Sequence, residues 1–148
     1  MTKPELEDQL AVMFGGRAAE EIIYEGVVST GSANDLERAS ELTRQMVTRF
    51  GMSERLGRLT YGCPGSARFL SSPFGAEERN YSDRTAEQID EDARRIVDES
   101  YERVKTILTN RRAELERIAE ALIAKETLTR EEINQLLAQS SQSQAAVV

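Results

Sequence analysis

The sequence predicts an all-α fold, mainly a helical bundle, with at most one short strand or hairpin in its central connection. Apolar residues recur at three- and four-residue steps in several long segments, and helix-capping signals stand where those segments begin. A chain of 148 residues is long enough for one domain with a single core. We assign residues 2–137 to this domain and residues 138–148, rich in Gln and Ser, to a disordered tail.

The first helix begins after Thr2, because the spacing of Thr2 and Glu5 matches a capping box. Its apolar residues then keep helical spacing until they are interrupted by Gly15-Gly16. Each glycine costs about 1 kcal/mol inside a helix, so this pair suggests that another backbone packs closely there.

A second amphipathic helix follows a small polar stretch at residues 27–35 and stops near Gly51. Either Ser32 or Asn34 can cap its start. Asp35 then falls in the first turn, where free backbone N–H groups and the helix dipole favour an anion.

Helical periodicity disappears between residues 52 and 80. Residues 58–61 could form one short strand. Residues 63–66 and 71–75 have the composition of turns. A connection of this length is usually functional or mobile.

Three further helices are expected in the second half of the chain. The longest begins at Ser82 or Asp83 and breaks near Thr109-Asn110. The last begins at a second capping box, formed by Thr129 and Glu132.

The composition excludes several kinds of site and partner. There is no histidine and one cysteine, Cys63, which rules out Ser-His-Asp and Cys-His hydrolase sites, His-liganded metals and intrachain disulfides for this chain alone. A reducing compartment fits best. The net charge of −7 argues against nucleic acid as a partner. Because no apolar run approaches the roughly 20 residues that cross a bilayer, we expect a soluble chain without a membrane span.

Spacing alone leaves ordinary explanations open for each unusual segment. Residues 15–21 could be a helix with a tight crossing and a solvated charged end. Residues 29–35 could be only a loop and a helix cap. The charged faces of the later helices could simply be solvated.

Three segments nevertheless follow one another in a distinctive order. Residues 10–22 read LAVMFGGRAAEEI, residues 28–36 read VSTGSANDL and residues 46–53 read MVTRFGMS. Together they resemble the peptidase domain of FtsH-type ATP-dependent zinc metalloproteases. Shorter similarities extend the resemblance over residues 2–137, which would then be the carboxy-terminal part of a metallopeptidase domain.

The resemblance implies a zinc ion held by two histidines of an H-E-x-x-H helix and by the aspartate of a T-G-x-x-N-D segment, which is Asp35 here. Glu20 is then a candidate for orienting the metal ligands, the alternative being a surface or salt-bridged glutamate. The H-E-x-x-H helix is expected upstream of Thr2 and is missing, as are the membrane anchor and the ATPase module that uses ATP and Mg. No catalytic residue lies in this chain, and we expect it to be inactive alone.

The parent protein implied by this resemblance is a homo-hexamer anchored in a membrane, with its peptidase domain on the cytoplasmic side. It uses ATP to unfold membrane and cytosolic protein substrates and then hydrolyses their peptide bonds. Two alternatives remain open. The chain could be a non-catalytic short paralogue, or a helical interaction or assembly module that docks a partner.

Overall fold

Helices account for the ordered elements of the computed structural model, which describes residues 1–62 and 80–145. They are α1 (Lys3–Ile23), α2 (Ala33–Thr48), α3 (Asp83–Asn110), α4 (Arg112–Lys125) and α5 (Arg130–Ala145), with a single 3-10 turn, Thr30–Ser32, before α2. Within these described ranges there is no strand, and residues 58–61 are irregular. The all-α class is therefore confirmed. The turns expected at 63–66 and 71–75 lie outside the described residues.

The capping signals mark the helix starts as expected. The backbone N–H of Thr2 donates to Oε2 of Glu5 at 2.6 Å, and that of Thr129 donates to Oε2 of Glu132 at 2.8 Å. At the start of α3 the Ser82 hydroxyl accepts a backbone N–H. Each bond satisfies a backbone group that the helix or its cap would otherwise leave without a partner.

The core is formed where α1, α2 and α3 pack against one another. Helix α1 contributes one buried side chain in nearly every turn: Leu6, Leu10, Phe14 and Ala18. Phe14 is only 2% exposed and meets the ring of Tyr101 edge-on, with 5.8 Å between ring centroids. Helix α3 therefore covers this face of α1.

The expectation of a close backbone neighbour at Gly15-Gly16 is wrong for the part of the chain that the structure describes. A Cβ atom built on either glycine has no atom of a packing partner within 4 Å. The pair lies away from the buried face, with Gly16 exposed and Gly15 half-buried. Apolar Val12, 81% exposed, lies on the same helix.

A buried carboxylate fastens the segment after α2 to α3. Asp92 of α3 is 1% exposed and accepts a hydrogen bond from the Ser53 hydroxyl. Arg55 approaches the other carboxylate oxygen at 3.7 Å. The Ser53 hydroxyl oxygen in turn accepts the backbone N–H of Leu56 at 3.2 Å. This polar contact fixes the end of the third motif segment, residues 46–53.

Helices α4 and α5 pack chiefly on each other. No residue of α4 is buried, and Ile123 is 83% exposed. Helix α5 reaches Ala145, so its backbone enters the range 138–148 for which the sequence predicts disorder. The assignment of that range as a tail stays a prediction. Among the described residues, no helix combines the length and apolarity needed to cross a membrane.

Candidate functional site

Asp35 lies in the first turn of α2, as the sequence predicts. Its side chain is half-buried, and in the described part of the chain its carboxylate has no hydrogen bond or ion pair. The first turn of a helix has backbone N–H groups without intrahelical partners, and none of them engages this carboxylate in the described residues. Asp35 therefore presents free oxygen lone pairs close to the protein surface.

A groove of about 510 Å³ opens beside Asp35, between α1 and the start of α2. Its polar lining includes Arg38 from α2 and Glu5 and Asp8 from α1, while Val12 supplies an apolar edge. The carboxylate of Asp35 can thus be reached by a group from outside the described residues.

Glu20 lies on α1 and holds the loop that precedes α2. Its Oε1 accepts the Ser29 hydroxyl at 2.7 Å, and its Oε2 accepts the Ser29 backbone N–H at 3.2 Å. Nη1 of Arg17, one turn earlier on α1, donates to the Ser29 carbonyl at 3.2 Å. We call Arg17, Glu20 and Ser29 the Ser29 cluster.

The Ser29 cluster favours the ionised form of Glu20. The Ser29 hydroxyl, then the Ser29 N–H and to a smaller extent the charge of Arg17 lower the pKa of Glu20 from its ordinary value, against a small opposing effect of burial. Glu20 therefore remains a carboxylate at neutral pH. Both carboxylate oxygens of Glu20 accept hydrogen bonds from Ser29, so Glu20 is connected through that residue to the segment that carries Asp35, residues 28–36.

The neighbouring carboxylate, Glu21, faces α3 instead. It accepts a hydrogen bond from the Tyr101 hydroxyl and one from Nζ of Lys105 at 2.7 Å. Lys105 first and Tyr101 second lower the pKa of Glu21. Burial, followed by the hydrogen bond to Glu21, raises the pKa of Tyr101 to about 12. This contact joins α1 to α3 and takes no part in the loop before α2.

Ser32 occupies the N-cap position of α2, which agrees with one of the two expected caps. Its hydroxyl makes no capping bond and, in the described structure, is a buried oxygen without a hydrogen-bond partner. Asn34, the other candidate, lies inside the helix.

The residues present fit one ligand of a zinc site and not a whole site. A carboxylate oxygen is an accepted zinc donor, and Asp35 offers one that is free. The sequence has no histidine, and the described residues include no group of three or more His, Cys, Asp or Glu side chains placed to hold a metal ion. A tetrahedral site would need ligands from another segment.

Residues 1–136 match the family model for Peptidase family M41. The chain belongs to peptidase family M41. It is 51% identical over 137 residues to the ATP-dependent zinc metalloprotease FtsH of Bacillus subtilis, a match that covers 92% of this chain and 21% of the relative. It is 46% identical over 144 residues to FtsH 3 of a Synechocystis species, covering 97% of this chain and 23% of the relative.

A third relative is the ATP-dependent zinc metalloprotease FtsH 1 of Thermomicrobium roseum, which is 50% identical over 135 residues, a match that covers 91% of this chain and 20% of the relative. The chain spans about a fifth of the length of the curated relatives it matches. The motif segments of the M41 chain lie in α1, in the loop and first turn of α2, and at the end of α2.

The sequence does not show how these M41 segments are connected. Arg17 and Ser29 lie inside the motif segments, but no sequence pattern assigns a role to either of them. The signal was present in part, because Arg17 and Glu20 stand three residues apart and so share one helix face. Nothing in the sequence paired that face with Ser29, since the partner lies nine residues after Glu20 in an irregular loop.

Proposed function

We propose that this chain forms part of the peptidase domain of a membrane-anchored, ATP-dependent zinc metalloendopeptidase, in which Asp35 is the third zinc ligand. The observation that carries the proposal is the family match across residues 1–136, with the T-G-x-x-N-D segment intact. The free carboxylate of Asp35, next to an accessible groove, supports its assignment as a ligand.

Bound zinc would supply the activation of a water molecule as a nucleophile. The contribution of this chain is narrower. Asp35 supplies one oxygen donor from the first turn of α2. The two imidazole ligands and the general-base glutamate belong to parts of the parent protein that this sequence does not contain.

The parent's other properties are proposed on the same ground. It acts on membrane and cytosolic proteins, assembles as a homo-hexamer and has its peptidase domain on the cytoplasmic side of the membrane. An ATPase module binding ATP and Mg drives unfolding of the substrate. The names of the relatives state ATP dependence and zinc, which supports the ATPase module and the metal among these assignments.

The decisive experiment uses the full-length Bacillus subtilis relative carrying this chain in place of its matched segment of 137 residues. In that chimera, Asp35→Ala is expected to lower zinc content and casein cleavage while ATP hydrolysis is retained. Asp8→Ala, which changes another carboxylate of the same groove, is the matched control and should keep full zinc occupancy. Normal zinc content in Asp35→Ala would refute the ligand assignment.

The chain alone gives a second test. With one ligand of the proposed site, it should show no chelator-sensitive cleavage of casein, since a single carboxylate does not hold catalytic zinc tightly. Turnover by the pure 148-residue chain that is abolished by a chelator would overturn this expectation.

A second candidate, a helical assembly module, is favoured by one observation. The groove of about 330 Å³ between α1 and α4 is lined by apolar Ile23 and Ile123, and α4 has no buried residue. Sedimentation velocity over a range of concentrations tests this role. Association that is lost in Ile123→Glu supports it, whereas a monomer at every concentration counts against it.

A further inference from the structure

Ser29 is held through three of its polar groups at once. Glu20 accepts both its N–H and its hydroxyl, and Arg17 donates to its carbonyl. A single loop residue is thus fixed to two positions of one rigid helix, α1. Arg17 and Glu20 are three residues apart, which is the spacing that brings helical side chains onto one face.

The held residue is joined to Asp35 by a short and ordered link. The Ser29 hydroxyl oxygen accepts the N–H of Gly31 at 3.1 Å, which caps the 3-10 turn Thr30–Ser32. That turn runs directly into α2, where the N–H of Ala33 bonds back to the carbonyl of Thr30. No irregular residue stands between Ser29 and Asp35, so the position of one sets that of the other.

The packing around Gly31 shows how little room this link has. A Cβ atom added to Gly31 would lie 3.2 Å from the Ser29 hydroxyl oxygen and 3.8 Å from Oε1 of Glu20. The first distance is shorter than ordinary van der Waals contact, so a side chain here would push the Ser29 hydroxyl out of place.

We propose that Arg17, Glu20 and Ser29 are positioning residues that place the Asp35 carboxylate for zinc, acting through the 3-10 turn rather than by touching the metal. This inference rests on the proposed function, in which Asp35 is a zinc ligand. It assigns Arg17 and Ser29 a part in the site. Glu20 then orients Asp35 through Ser29 and the 3-10 turn, and not by contacting a metal ligand itself.

The first experiment examines the Ser29 cluster in the chain as it stands. In a pH titration followed by amide NMR, the Ser29 N–H resonance should shift with an inflection below the ordinary pKa of glutamate, because it reports ionisation of Glu20. Glu20→Gln should abolish that inflection, and Ser29→Ala should move the Gly31 N–H resonance. Far-UV circular dichroism verifies that each variant is still helical.

Glu21→Gln is the matched control, since it makes the same chemical change one residue away on the side facing α3. It should leave the Ser29 inflection in place. A wild-type Ser29 amide without an inflection, or one that persists in Glu20→Gln, would overturn the proposal.

The second experiment measures zinc affinity by chelator competition in the same full-length chimera. Changing a residue that orients a metal ligand typically weakens affinity about 10- to 100-fold, and we expect that loss for Glu20→Gln and for Arg17→Met. Arg17→Lys, which keeps a donor and the charge, should recover part of it. Equal affinity in Glu20→Gln and wild type would refute the link to the metal.

The two experiments separate failure of this inference from failure of the proposed function. If Asp35→Ala retains zinc, the ligand assignment falls, and the link from the Ser29 cluster to the metal falls with it. If Asp35→Ala loses zinc while Glu20→Gln keeps it, Asp35 is a ligand that the Ser29 cluster does not position, and this inference alone is wrong.

Discussion

Replacing Ser53 by alanine should destabilise the chain far more than its small size suggests. The Ser53 hydroxyl is the hydrogen-bond donor to Asp92, a carboxylate that is 1% exposed. After Ser53→Ala, Asp92 keeps its ion pair with Arg55, which lies 3.7 Å away and is itself 53% exposed. A buried charge that loses a hydrogen bond keeps the full cost of desolvation.

The magnitude follows from two lost contacts. A hydrogen bond to a charged group contributes about 1.5–3 kcal/mol, and the N–H of Leu56, which loses its acceptor, adds about 1 kcal/mol. We therefore expect Ser53→Ala to lower the free energy of unfolding by about 2.5–4 kcal/mol. At about 3 °C for each kcal/mol in a chain of this size, the thermal midpoint should fall by about 8–12 °C.

Urea unfolding followed by far-UV circular dichroism measures this change. Ser40→Ala is the matched control, because that hydroxyl is exposed and donates to the carbonyl of Leu36 within its own helix. Its effect should remain within about 0.5 kcal/mol. On an Asp92→Ala background, Ser53→Ala should cost only about 1 kcal/mol. A loss below about 0.5 kcal/mol in the single variant would refute the reasoning.

Three further predictions concern the contacts of α1 and the turn after α2. Phe14→Ala should lower the free energy of unfolding by about 3–5 kcal/mol, whereas Val12→Ala, at an exposed site, should change it by less than about 0.5 kcal/mol in the same urea assay. In an alkaline absorbance titration, Tyr101 should ionise near pH 12, and Glu21→Gln should lower the pKa of Tyr101. Ionisation of every tyrosine, Tyr101 included, at the ordinary midpoint would contradict the contact. Since its folded pKa is raised, neutral Tyr101 stabilises the fold below pH 10, and that stability is lost as pH rises to about 12. Gly51 has φ +61°, a backbone conformation that is strained for a residue with a side chain. Gly51→Ala should therefore lower the free energy of unfolding by about 1 kcal/mol in the urea assay, and an unchanged value would contradict this reasoning.

Helix positions were predictable because periodicity and capping are local. Thr2 and Glu5 lie within one turn, so their contact depends on no other part of the fold. Asp35 could likewise be placed in a first turn from its neighbours alone. The contact of Ser53 with Asp92 could not be predicted in this way, because it joins residues 39 positions apart and no periodicity encodes a polar pair at that distance.

The expected backbone contact at Gly15-Gly16 failed for a related reason. A glycine pair in a helix indicates that a neighbour can approach, but sequence spacing does not say whether the neighbour belongs to the same chain. The buried face of α1 runs through Leu10, Phe14 and Ala18, and α3 covers that face. Gly16 lies off this face and is exposed.

Helix α1 thereby serves the core and the candidate site through adjacent residues. Glu21 accepts hydrogen bonds from Tyr101 and Lys105 of α3, so replacing Glu21 should lower the stability of the fold and leave the Ser29 cluster unchanged. Glu20 accepts hydrogen bonds from Ser29, so replacing Glu20 should change the position of Asp35 and leave the core unchanged. Because the two carboxylates follow each other on one helix, Glu20→Gln and Glu21→Gln make the same change in charge and size. A difference between their effects on zinc affinity therefore measures the geometry of the site rather than the charge of the helix.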